Sequence, residues 1–259
     1  MQKYAIAVLA AVLALGAAGN ASALTIWDIQ FSAGPDYVSP YVDQTVDVAG
    51  GVVTKVFVGG STKVTIQDPT LGGEWAGIQL VFSDPAQAEG ISEGDQIDVF
   101  GAVVGEYRGN TQLNMGAASS FVVNSTGNVV TPLVVSVADI PAEVDHDRSE
   151  KYEFMLLTVL GVQVGQMDLG KNSDDYELVN NEGVCWASDY ANSDLPPGQD
   201  YYVQPGESFD AVTGYLEQYL RLDQGWDYYQ LLPRSSGDYV PAGTPAQETT
   251  WGGIKARYH

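Results

Sequence analysis

The side chains with most to offer chemically are aromatic and basic ones set close together. Tyr107 and Arg108 are adjacent, and Tyr219, Arg221, Trp226 and Tyr228 crowd a short stretch near the C-terminus, flanked by Tyr215 and Tyr229. Trp75 and Phe82 lie beside other apolar runs, and Lys55 and Lys63 sit on what reads as the first hairpin. Exposed rings stack on bases, and lysine or arginine beside them tracks a phosphate backbone. The binding candidates are therefore Trp75, Tyr107, Arg108, Tyr219, Arg221, Trp226 and Tyr228, with the group around Trp226 foremost. For any single ring the competing role is filler for a small core.

Other chemistries are poorly supplied. Of the two histidines, His146 lies in an acidic loop and His259 is the last residue, and neither accompanies a recognisable nucleophile motif. Catalysis would need a carboxylate–histidine or histidine–cysteine pair brought together in a cleft. The expected catalytic set is empty, and the chain is read as a non-enzyme. Glu143, Asp145, His146, Asp147 and Glu150 crowd one loop, and Asp168, Asp174 and Asp175 another. Oxygen-rich loops are calcium chemistry, but neither has the spacing and central glycine of a calcium loop. They read as solvated acidic loops, with no cofactor or metal expected. Cys185, the single cysteine, lies in an apolar run and reads as a buried, inert thiol.

The charge balance also constrains the partner. Thirty-three acids against eleven lysines and arginines leave −22 at pH 7, which favours solubility and opposes adhesion to polyanions. The N-terminus reads as a secretory leader over residues 1–23: Lys3, an apolar run from Ala5 to Ala18, then Ala21-Ser22-Ala23. The run is too short to serve as a membrane anchor. Export is expected, to the periplasm, the cell surface or beyond.

Tight turns and alternating strands must position these side chains. Twenty-nine glycines and many Val/Thr alternations point to an all-β chain. Ser92 to Asn114 sets the pattern: a Glu93-Gly94-Asp95 turn, a strand interrupted at Gly101, a second turn at Tyr107 to Thr111, then another strand. Glycine inside a strand marks a bend or bulge of the kind a small barrel needs. The order returns from Gly206 through Gly214 to Leu231, so Gly94 and Gly101 recur as Gly206 and Gly214. Thr25 to Gln30 reads as a lead-in strand, mirrored by Val134 to Ile140. A long strand broken at Gly50-Gly51 follows, then strands at 63–68 and 76–82, one helical turn at 83–89, and a fifth strand at 111–124. That is the order of an OB-fold barrel. The expected architecture is two five-stranded barrels of this kind in tandem, at 24–125 and 132–238, with a linker and short tail at 239–259.

At these residues the chain resembles the OB-fold domains of bacterial secreted nucleases and related cell-surface proteins. The pieces that carry the resemblance are Ile29-Gln30, Val48-x-Gly50-x-Val52-Val53-Thr54, Ile66-Gln67-Asp68, Gly94-Asp95-x-Ile97-x-Val99-x-Gly101 and Thr111-Gln112-Leu113. In the second copy they are Tyr152-Glu153-x-Met155-Leu156-Leu157, Val212-Thr213-Gly214 and Leu232-Pro233-Arg234. In that family the OB domain is often joined to a nuclease domain, for which the expected division of this chain leaves no room; the resemblance then implies a binding module, its ligand single-stranded nucleic acid. The acidic charge and aromatic loops point alternatively to a surface or matrix module for glycan or protein, and an accessory subunit of a hydrolase ranks last. The ending Thr250-Trp251-Gly252-Gly253-Ile254-Lys255 is similar to short tails on some bacterial exported proteins, which implies sorting or docking.

Overall fold

A computed structural model describes residues 23–171 and 174–243. The leader cleavage and the C-terminal tail lie outside the described residues, apart from Ala23 and the stretch 239–243. Within them, no helix is long and apolar enough to cross a membrane.

The first sheet holds β1 (Thr45–Val58), β2 (Thr62–Gln67), β3 (Gly77–Phe82), β4 (Gln96–Tyr107), β5 (Asn110–Met115) and β6 (Ser120–Ser125). β1 bends at Gly50, where φ is +78° and the register slips, and so pairs with β2 through one half and β4 through the other. The order β1-β2-β3-β5-β4 then returns to β1, a closed five-stranded OB barrel with β3 and β5 parallel. Its core is mainly aliphatic, with Val48, Val64, Ile66, Ile78, Leu80, Ile97, Val99 and Leu113 buried together around Phe82. The second sheet repeats the plan with β7 (Leu133–Val134), β8 (Leu156–Met167), β9 (Asp175–Asn180), β10 (Gly183–Ser188), β11 (Ser208–Gln218), β12 (Tyr229–Leu232) and β13 (Tyr239–Pro241). β8-β9-β10-β12-β11 closes back on β8, with β10 and β12 parallel. Among the described residues no ladder joins the two sheets.

The internal repeat is visible bond by bond. Gly94 N–H donates to the Val53 carbonyl and Val53 N–H to the Asp95 carbonyl, both at 2.8 Å; Gly206, Val164 and Glu207 make the same pair at the same lengths. The side chains of Asp95 and Glu207 each accept from the backbone three residues earlier, at Ser92 and Gln204. Gly94 and Gly206 both hold left-handed φ, +87° and +82°.

Several expectations are corrected. The lead-in strand is a helix, α1 (Ile26–Gln30), because Thr25 and Asp28 form a reciprocal capping box that satisfies the first-turn amides. Its mirror keeps the device rather than the strand: Ser136 and Asp139 cap a single 3-10 turn. The fifth strand is broken at Gly116–Ser119 into β5 and β6, and β6 continues along β4 in the same antiparallel sense, from Phe100 back to Gln96. β13 plays the part of β6 in the second sheet by pairing with β11, so residues 239–241 are sheet rather than linker. Gly101 and Gly214 are glycines for different reasons. Gly101 sits at φ +66°, whereas at Gly214 a Cβ would lie 2.6 Å from the Leu232 carbonyl carbon. Gly101→Val should therefore cost about 1–3 kcal/mol through backbone strain alone. Thermal unfolding checks this, and an unchanged midpoint would reject it.

Candidate functional site

β4 and β5 are joined by a two-residue hairpin whose central residues, Arg108 and Gly109, have φ of +56° and +88°. Positive φ at both positions is the geometry that suits strand twist in a tight hairpin. An arginine held there costs about 1–2 kcal/mol, so other contacts must fix it. They come from the second barrel. Leu220 N–H donates to the Arg108 carbonyl at 2.9 Å. Asn110 Nδ2 donates to the Gln218 carbonyl at 2.7 Å, and Gln218 N–H returns a bond to Asn110 Oδ1 at 3.0 Å. The equivalent loop of the second barrel, between β11 and β12, is itself zipped by Tyr219–Tyr228 and Arg221–Trp226 backbone bonds.

The candidates from both copies thus meet. The Arg108 guanidinium carbon lies 5.3 Å from the Tyr107 ring centroid and 4.8 Å from that of Tyr219, and Nη1 donates to the Tyr219 hydroxyl at 2.7 Å. Tyr219 in turn contacts Trp226 and Tyr228, with centroids 6.3 and 5.6 Å apart. Further cations cover neighbouring rings: Arg221 over Trp226, Lys171 over Trp226 and Trp186, and Lys63 over Tyr190. Two of these cations are paired with acids, Arg221 with Asp223 at 2.8 Å and Lys63 with Glu217 at 3.6 Å.

Beneath the rings a cavity of about 240 Å³ opens between the barrels. Gln79 and Gln112 line one side, Glu217, Gln218 and Gln230 the other, with Tyr107, Arg108, Tyr190 and Tyr219 at its rim. Asp174 also faces it, and burial, then the neighbouring Asp175, raise its carboxyl to about 6. Burial likewise lifts the Tyr190 phenol to about 12.

Two candidates fall elsewhere. Trp75 belongs to the β2–β3 loop, where its N–H donates to the Lys151 carbonyl and its ring meets the edge of Phe31. Tyr228 is buried and packs on Trp186, so it supports the cluster and offers no open face. Phe82, Tyr215 and Tyr229 are core, and Lys55 is buried, donating to the Arg234 carbonyl across the interface at 2.9 Å.

The acidic loop is not simply solvated. Its short helix α2 (His146–Ser149) places His146 against Tyr229, Nδ1 to hydroxyl at 2.8 Å, and against Asp227, Nε2 to Oδ2 at 3.1 Å. The Tyr229 hydroxyl donates to Glu150, whose carboxyl burial pushes up to about 7. Glu106 is raised by burial, and the fully buried Glu153 is raised strongly by burial, then by Glu150 and Glu106. Here is the carboxylate–histidine pair that catalysis would need, lining a second inter-barrel cavity of about 360 Å³. Both ring nitrogens are engaged by side chains of the protein itself, and the described partners, a tyrosine and two carboxylates, include no serine or cysteine nucleophile. Cys185 is buried and its thiol is pushed up to about 12, which removes it as a nucleophile. Among the described residues no group of three or more His, Cys, Asp or Glu is placed to hold a metal ion. Sequence alone could not place His146 here, because its partners Asp227 and Tyr229 come from the far end of the chain.

No protein-family profile matches the chain, and no curated protein does. Solved structures that are similar to the chain include an OB domain. The OB domain of MM0293 from Methanosarcina mazei is 20% identical over 32% of this chain and 75% of that one, with a TM-score of 0.26. A murine DNA-binding protein bound to double-stranded DNA is 9% identical over 71% of this chain and 90% of its own, TM-score 0.37. A Replication Protein A heterotrimer bound to single-stranded DNA is 10% identical over 84% of this chain and 68% of its own, TM-score 0.24.

Proposed function

We propose that this is an exported, non-catalytic binding protein that holds single-stranded nucleic acid in the groove between its two barrels. The observation that carries the reading is the convergence of Tyr107 and Arg108 from one barrel with Tyr219 and Trp226 from the other, cations lying over the rings. Base stacking on such rings is worth about 1–3 kcal/mol per base and tolerates any sequence. Charge contributes little, because Lys63 and Arg221 are already paired with acids. Few counterions are released, so the salt dependence is shallow.

Titration of a labelled oligonucleotide at several salt concentrations tests this. Trp226→Ala should weaken binding by about 1–3 kcal/mol, Arg108→Ala should also weaken it, and Trp75→Ala should leave it unchanged. Absence of binding under every condition, or loss of affinity on Trp75→Ala alone, would reject the groove. A neutral glycan is the second reading, favoured by the amides of Gln79, Gln112, Gln218 and Gln230, which suit sugar hydroxyls. Retention on immobilised neutral glycan together with failure to bind oligonucleotides would select it.

A further inference from the structure

One acceptor in the cavity beneath the rings is left unpaired. Gln230 is buried, lines the cavity, and has a side-chain Oε1 without a hydrogen-bond partner. Its orientation follows from Glu217: Nε2 faces Glu217 Oε2 at 3.5 Å, and flipping the amide would set oxygen against oxygen. Glu217 itself is held only loosely, by that contact and by Lys63 at 3.6 Å, which leaves its carboxylate with lone pairs to spare. A buried acceptor left unpaired carries its full desolvation cost, and a ligand donor in that position recovers it.

Resting on the reading that the groove binds a nucleic-acid strand, we infer that this cavity is a pocket for one unpaired guanine base. Guanine is the base that presents adjacent donors, N1–H and the N2 amino group, on its pairing edge. A carboxylate accepts both at once, and Gln230 Oε1 can take the remaining amino proton. Adenine and cytosine offer an amino group beside a ring acceptor, which would face Glu217 lone pair to lone pair. Uracil and thymine flank one N–H with two carbonyls. Tyr190, Tyr219 and the Arg108 plane supply the stacking surfaces that a splayed base needs. The cavity volume suits a single base and excludes a duplex.

The test uses the full chain and labelled oligothymidylates carrying one central dG, dA, dC or deoxyinosine. The dG strand should bind at least tenfold tighter than those with dA or dC. Deoxyinosine, which lacks the amino group, should fall between, and 7-deazaguanine, whose pairing edge is unaltered, should match dG. Glu217→Gln should abolish the preference for dG over dA and dC, with circular dichroism confirming its fold. The base analogues keep the test decisive on the unaltered protein if that variant fails to fold. Equal affinity for all centres would overturn the guanine pocket and keep the strand reading. Failure of every strand to bind, with guanosine monophosphate binding alone, would keep the pocket and overturn the strand. No binding of either would overturn both.

Discussion

Gly77→Ala should lower the melting midpoint by roughly 6–12 °C and weaken ligand binding with it. Gly77 opens β3 and lies against the backbone of the second barrel. A Cβ there would sit 2.3 Å from the Phe154 carbonyl carbon and 2.5 Å from the Met155 nitrogen. Backbone cannot yield as a flexible side chain can, so the barrels must separate locally. That strains two neighbouring bonds, Gln30 Nε2 to the Gly77 carbonyl at 2.6 Å and Leu156 N–H to Gln67 Oε1 at 2.8 Å. Overpacking of this kind costs about 3 kcal/mol, and in a chain of this size each kcal/mol is worth about 2–4 °C. Gly73→Ala is the control, since its Cβ would meet nothing closer than 3.5 Å. Calorimetry of the two variants decides the matter, and equal midpoints would show that the barrels are not docked through Gly77.

The second large effect is a loss of stability as pH rises. Glu150 ionises near 7 in the fold against 4.5 ordinarily, so the folded state holds its proton more tightly than the unfolded chain. The stabilisation is fully present below pH 4.5 and is lost as pH climbs through 7. Between pH 5 and 8 this one group should remove about 2–3 kcal/mol. Glu106 and Glu153, also raised, act in the same direction. Glu150→Gln should flatten the profile by keeping a neutral partner for the Tyr229 hydroxyl. Urea unfolding at pH 5, 6, 7 and 8 measures both. A wild-type midpoint that rises toward pH 8 would contradict the burial of this carboxyl in neutral form.

Much of the fold was legible because turns and strand breaks are local. Gly94-Asp95 and Gly206-Glu207 announce the same turn in both copies, and Asp84-Pro85 announces the 3-10 turn at Pro85–Ala88. The Thr25-x-x-Asp28 box was equally readable, but apolar alternation over Ile26 to Ile29 masked it. The site was legible in composition and not in assembly. Tyr107, Arg108, Tyr219, Arg221 and Trp226 carry the right chemistry in sequence, yet nothing local says that the two hairpins touch. Tyr228 and Tyr229 are neighbours of like type, and only the packing of β12 shows that both rings are buried. His146 and Glu150 looked solvated because acids surround them, while the side chain that holds both, Tyr229, lies far along the chain on β12.

The connection over residues 126–132 gives the groove its economy of contact. Each barrel supplies half of the rim, and the halves meet through hydrogen bonds such as Asn110–Gln218 and Arg108–Leu220. Because a short tether joins them, the encounter is intramolecular, with an effective concentration on the order of millimolar. The contacts between the barrels therefore keep the groove assembled at any dilution of the protein.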